Sequence, residues 1–228
     1  MGASGDWLQR LESARGRRRS YLESGLRKRP EGSGSNLGML MQLQRTTLLV
    51  TIEDLFGDIP AVVVGGVATR AYAPERYTKD LDFLVAHERY TDAILRLEAL
   101  GWRNEHELVF PDATLGPYGA TWSKDGRTID VISTDQSWAC EALAEEVFDQ
   151  TGLRVISLPY LVLTKLDSAR VVDQEDLTRM LGRAGQAEID CVVRVVERHY
   201  GEPHVAEDIR QYATLGAMEY EVDRKQAD

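Results

Sequence analysis

Ala61-Val62-Val63-Val64-Gly65-Gly66, then the thirteen residues Val67–Lys79, then Asp80-Leu81-Asp82-Phe83-Leu84-Val85: the reading of this stretch decides the fold. Ala61–Val64 is short, apolar and rich in β-branched residues, which predicts a buried strand. It runs into Gly65-Gly66, and Val67–Tyr72 has the composition to begin a helix. Leu81–Val85 predicts a second strand. Residues two apart on a strand share a face, so Asp80 and Asp82 project together while Leu81 and Phe83 point into the core. Two adjacent carboxylates repel unless a cation sits between them. Hard oxygen ligands suit Mg²⁺, which takes one or two carboxylates and completes its shell with water and phosphate. Alone, Asp-x-Asp is a common chance pattern and Gly-Gly is most often a plain turn.

Working outward, the pattern keeps alternating. Tyr90–Leu100 has apolar residues at helical spacing (Ile94, Leu95, Leu97, Leu100), and Gly101 closes it. Trp102 opens a further strand. Tyr118–Ser123 and Arg127–Ile132 both read as strands, and the Asp125-Gly126 between them signals a hairpin. That hairpin carries Ile129-Asp130-Val131, an acid between two apolar neighbours, which needs a partner if buried. Laid beside the Asp80-Leu81-Asp82 strand, Asp130 supplies a third carboxylate. From Ser157 to about Tyr220 the chain reads as helices punctuated by Gly182, Gly185, Gly201 and Pro203. Upstream, Leu37–Phe56 predicts a core-packed helix, with Asn36 as N-cap and Gln44 interrupting its stripe. Residues 5–29 read as a helical arm and 30–36 as a flexible linker. The expected class is α+β: a small mixed β-sheet with flanking helices and a C-terminal helical lobe. The expected boundaries are an arm and linker over 1–35, a core over 36–156 and a lobe over 157–228.

Composition bounds the function classes. The 228 residues are 43% hydrophobic and 28% charged, the balance of a globular chain. No apolar run approaches the roughly 20 residues of a membrane span, so no membrane partner is expected. Two cysteines without framework spacing suit a reducing cytoplasm. None of the four histidines has a ligand-like partner nearby, which argues against zinc. The net charge of −10 is uneven, because residues 1–30 carry eight Arg and Lys against three acids. That arm can hold a phosphate backbone or form a plain solvated helical face.

The order strand, Gly65-Gly66, about a dozen residues, Asp80-Leu81-Asp82 and a later Ile129-Asp130-Val131 resembles the DNA polymerase beta-like nucleotidyltransferase superfamily. Val64–Arg70 with Arg76–Phe83 looks like its Gly-Gly branch, which includes AbiEii-type abortive-infection toxins and antibiotic nucleotidyltransferases. Downstream, Tyr160–Asp176, with Lys165, Arg170, Asp173 and Asp176, is similar to the helix–turn–helix of AbiEii-like members. The resemblance covers roughly residues 60–180.

It implies transfer of a nucleoside monophosphate from a nucleoside triphosphate to an acceptor hydroxyl. Asp80, Asp82 and Asp130 would be catalytic and would hold two Mg²⁺ ions, or Mn²⁺ in their place. Gly65 and Gly66 would face the phosphates and Lys165 would contact the triphosphate. Arg76, Thr78 and Lys79 would touch nucleotide or acceptor, or serve as ordinary loop residues. Asp173 and Asp176 would cap or brace the following helix. Many superfamily members carry serine where this chain has Gly66, so only backbone contacts are available there. The implied acceptor is RNA, at the 3′ end of tRNA, in a toxin-like role with a cognate antitoxin. The alternatives are a small-molecule adenylyltransferase acting on an antibiotic and a protein-modifying enzyme of a toxin–antitoxin pair.

Overall fold

The computed structural model describes residues 51–74, 81–111 and 113–227. The arm, the linker, Asn36 and most of the helix expected over Leu37–Phe56 lie outside them. The described end of that helix, α1 (Ile52–Phe56), is a separate start. Thr51 is extended, its hydroxyl accepts from Asp54 N, and the Asp54 carboxylate accepts from Thr51 N, both at 3.1 Å. A residue in this reciprocal cap takes non-helical backbone, so an unbroken helix through Thr51 does not form.

β1 (Ala61–Val64) follows and is buried along its whole length. It leads into the short helix α2 (Gly65–Ala68) and a 3₁₀ turn, Thr69–Ala71. Next come β2 (Leu81–Val85), α3 (Tyr90–Ala99) and β3 (Arg103–Glu107). β4 (Tyr118–Lys124) and β5 (Arg127–Ser133) form the expected hairpin. Asp125 and Gly126 sit at φ 50° and 73°, the paired positive φ of the turn type that matches strand twist. The register runs from Lys124 opposite Arg127 to Tyr118 opposite Ser133. α4 (Ser137–Ala144), β6 (Val147–Phe148) and β7 (Arg154–Val155) had no sequence expectation. Four helices complete the chain: α5 (Leu158–Ser168), α6 (Val171–Leu181), α7 (Gln186–Tyr200) and α8 (Val205–Ala227).

Among the described residues, seven strands form one mixed sheet in the order β3-β4-β5-β2-β1-β7-β6. β2 runs parallel to β5 and β1 parallel to β7, while the other neighbours are antiparallel. The fold is therefore α+β, with helices flanking the sheet and a helical C-terminal region. The edge strand β3 is exposed throughout and carries Arg103, Glu105, His106 and Glu107. Such charges discourage pairing with another chain. Phe56 of α1 meets Phe83 of β2 edge-on at 5.1 Å. One apolar cluster runs from Phe56, Val62, Phe83 and Val131 into Leu161, Leu166, Val192 and Tyr212. Asp167 of α5 accepts from Thr114 N and Oγ1 and from Leu115 N, tying the loop before β4 to the helices. Among the described residues, no helix is long and apolar enough to cross a membrane.

Candidate active site

The acid site is built by strand register. In the parallel β2–β5 pair, Leu81 lies beside Ile129, Asp82 beside Asp130 and Phe83 beside Val131. Paired residues share a face, so the two carboxylates stand next to each other while Phe83, Ile129 and Val131 are buried. Both acids are half-buried. β1 borders them on the other side, with Val64 opposite Asp82.

Gly65 closes that side. Its φ is +63°, and a Cβ there would fall on the Asp82 carboxylate, 2.7 Å from Cγ. Only glycine meets both conditions, the left-handed backbone and the missing side chain. The carbonyl of Gly66 accepts a 2.7 Å bond from Thr69 Oγ1, which secures the turn out of β1.

On the far side of Asp130, Thr121 of β4 sits directly opposite in the hairpin. Its hydroxyl donates to Asp130 Oδ1 at 2.6 Å. Thr121 carried no sequence expectation, although the signal existed. A two-residue turn at 125–126 fixes the pairing outward from 124 with 127 to 121 with 130.

The α5–α6 junction carries a second group of charged side chains. Lys165, expected at the triphosphate, is instead buried at 3% exposure. Its ammonium donates to Asp173 Oδ1 at 2.9 Å and Asp176 Oδ2 at 2.7 Å. Asp173 also accepts from Ser168 Oγ and Arg170 Nε, both at 2.6 Å. Burial pushes the Asp173 carboxyl up, but the Lys165 charge and the bonds from Arg170 and Ser168 outweigh it and hold the group at about 2. Asp173 and Asp176 thus brace Lys165 between two helices. The cation offered to solvent is Arg170, whose side chain is 71% exposed. Its pKa is raised first by the hydrogen bond to Asp173, against burial, and then by the charges of Asp173, Asp82 and Asp176. Arg170 therefore lies within electrostatic reach of Asp82.

Asp80, Arg76, Thr78 and Lys79 lie outside the described residues. Among the described residues, no group of three or more His, Cys, Asp or Glu is placed to hold a metal ion. Two of the three expected ligands, Asp82 and Asp130, are among them, side by side and in register. Two hard oxygen donors flanked by a side-chain-free glycine fit a small divalent cation. A separate cavity of about 480 Å³, lined by Arg70, Tyr72, Asp149, Leu158, Met180 and Arg183, includes neither acid. There Arg70 Nε is paired with Asp149 at 2.5 Å.

No family model matches the chain, and no curated protein sequence matches it. Among solved structures, it is similar to the antibiotic-resistance factor ANT(2'')-Ia in solution, at 17% identity and a TM-score of 0.36, over 75% of this chain and 88% of that one. It is also similar to ANT(2'')-Ia crystallised with adenylyl-2''-tobramycin, at 16% identity and a TM-score of 0.37, over 72% of this chain and 90% of that one.

Proposed function

We propose that this chain is a metal-dependent nucleotidyltransferase that moves a nucleoside monophosphate from a nucleoside triphosphate to an acceptor hydroxyl. The observation that supports this most is the in-register placement of Asp82 beside Asp130, with Gly65 packed against Asp82. In the reaction, the acceptor oxygen forms a bond to the α-phosphorus, the α–β bridge breaks and pyrophosphate leaves. Asp80, Asp82 and Asp130 would hold Mg²⁺, whose chemistry is to neutralise phosphate charge and favour the ionised acceptor hydroxyl. Asp130 is assigned to take the acceptor's proton. Gly65 and Gly66 let the backbone approach the phosphates closely. Arg170 contributes positive charge that is felt at Asp82. Arg76, Thr78 and Lys79, which precede the acid pair in sequence, are assigned to the nucleotide.

For the acceptor, an RNA 3′ end is supported by the excess of basic residues in the arm over 1–30. A small hydroxylated molecule is supported by the sheet surface outboard of Asp130. There a register shift between Asn104 and His106 turns Glu105 toward Ser123, and His106 pairs with Thr121. That surface carries the hydroxyls of Thr121, Ser123 and Thr128 with one acid, Glu105, and one base, Arg103 opposite Ser123, so it lacks the basic excess that a polyanion needs.

The test is incubation of purified protein with Mg²⁺, each α-labelled nucleoside triphosphate and total tRNA, with Asp130→Asn and Asp80→Asn as controls. Label entering tRNA only with the intact protein supports the RNA reading and names the nucleotide. Pyrophosphate released only when a small hydroxylated amine is supplied moves the acceptor to that class. Full activity in either variant defeats the assignment of that residue. Growth arrest on expression, relieved by a neighbouring gene, would add the toxin role and its antitoxin.

A further inference from the structure

We infer that Thr121 is a positioning residue that sets the orientation of the Asp130 carboxylate toward Asp82; this rests on the reading that the two acids hold a divalent ion. Thr121 and Asp130 are direct partners in the β4–β5 hairpin. The 2.6 Å bond from Thr121 Oγ1 to Asp130 Oδ1 has the short length of a hydroxyl bonded to a carboxylate. On the opposite side, Asp82 stands in register with Asp130. Like charges on neighbouring strands repel, so an unrestrained Asp130 side chain would turn away from Asp82. The Thr121 hydroxyl holds Oδ1 on the β4 side, which fixes the carboxylate plane and leaves Oδ2 to an ion shared with Asp82; the charge of that ion offsets the repulsion.

The choice of threonine matters at this position. Its branched Cβ restricts χ1, so the hydroxyl is held in place before any ligand arrives. Thr121 is half-buried, which limits competition from water. Its chain neighbours Ala120 and Trp122 are buried on the other face at 2% and 1% exposure, which anchors the backbone that carries the hydroxyl. Hydrogen-bond partners of a metal-ligating carboxylate orient it, and losing one typically weakens metal binding about 10–100-fold.

The experiment is a titration of full-length protein with Mn²⁺ alone, free ion being read by electron paramagnetic resonance, for the intact chain, Thr121→Val and Thr121→Ser. Valine keeps the shape and the strand preference but removes the donor. The expected result is binding weakened about 10-fold or more in Thr121→Val and restored to within about 3-fold of the intact chain in Thr121→Ser. Unchanged melting temperatures would show that the fold is intact in both. Equal Mn²⁺ affinity in the intact chain and Thr121→Val overturns the role of Thr121 and leaves the metal reading standing. An intact chain that binds no Mn²⁺ overturns the metal reading, and the role of Thr121 with it.

Discussion

Gly65 has little room to change. Alanine there meets two obstacles, a left-handed backbone and the carboxylate of Asp82. Gly65→Ala should destabilise the fold by about 1–2 kcal/mol from backbone strain. Displacing Asp82 should lower nucleotidyl transfer by roughly 100-fold. Thermal melting and pyrophosphate release separate the two effects, and a Gly65→Ala protein with full turnover would show that the Asp82 position is not critical. Much of the acid site was legible in the sequence at this scale. Alternation put Asp82 on a strand facing away from Phe83, and the Asp-Gly turn put Asp130 on a hairpin beside it. Lys165 was not legible in the same way. An isolated lysine on an apolar helix reads as a solvent-reaching charge, and its burial depends on Asp173 and Asp176 arriving from the next helix.

At the scale of elements, the α5–α6 hairpin is held by a buried charge cluster. Lys165, Asp173 and Asp176 are 3%, 1% and 2% exposed. Removing the cation leaves two buried carboxylates without it, so Lys165→Met should cost about 3–5 kcal/mol in urea unfolding. A loss under about 1 kcal/mol would mean that the cluster rearranges or that water enters. The Asp173 carboxyl is held at about 2, below its ordinary 3.8. A depressed carboxyl stabilises the fold above its unfolded pKa, and that contribution fades as pH falls from about 4 through about 2. The amount is about 2 kcal/mol. Urea midpoints between pH 6 and pH 2 measure it, and the acid-dependent loss should be smaller in Lys165→Met. The shortest elements escaped the sequence reading for a physical reason. β6 and β7 are two residues each, too short for any periodicity, and they exist because β7 adds alongside β1. The break at Thr51 escaped because apolar spacing carried across a residue whose hydroxyl favours a cap.

At the scale of the molecule, the sheet and the helices of the C-terminal region share one apolar cluster. Unfolding of the intact chain should therefore show a single calorimetric transition with coincident fluorescence and circular dichroism curves. Two separated transitions would favour a core over 36–156 and a lobe over 157–228 as independent units. The α+β class was readable from the alternation of strand and helix signals, whereas the strand order was not, because it depends on pairings between segments far apart in the chain. The Asp125-Gly126 turn also governs which length changes this chain can absorb. One extra codon at that turn would shift the hairpin count, so β4 would have to expose Trp122 or take up the surplus residue as a bulge. The same codon in the Gly201–His204 connection between α7 and α8 alters no strand pairing. Insertions and deletions among descendants of this chain should therefore gather between its late helices and spare the hairpin tip.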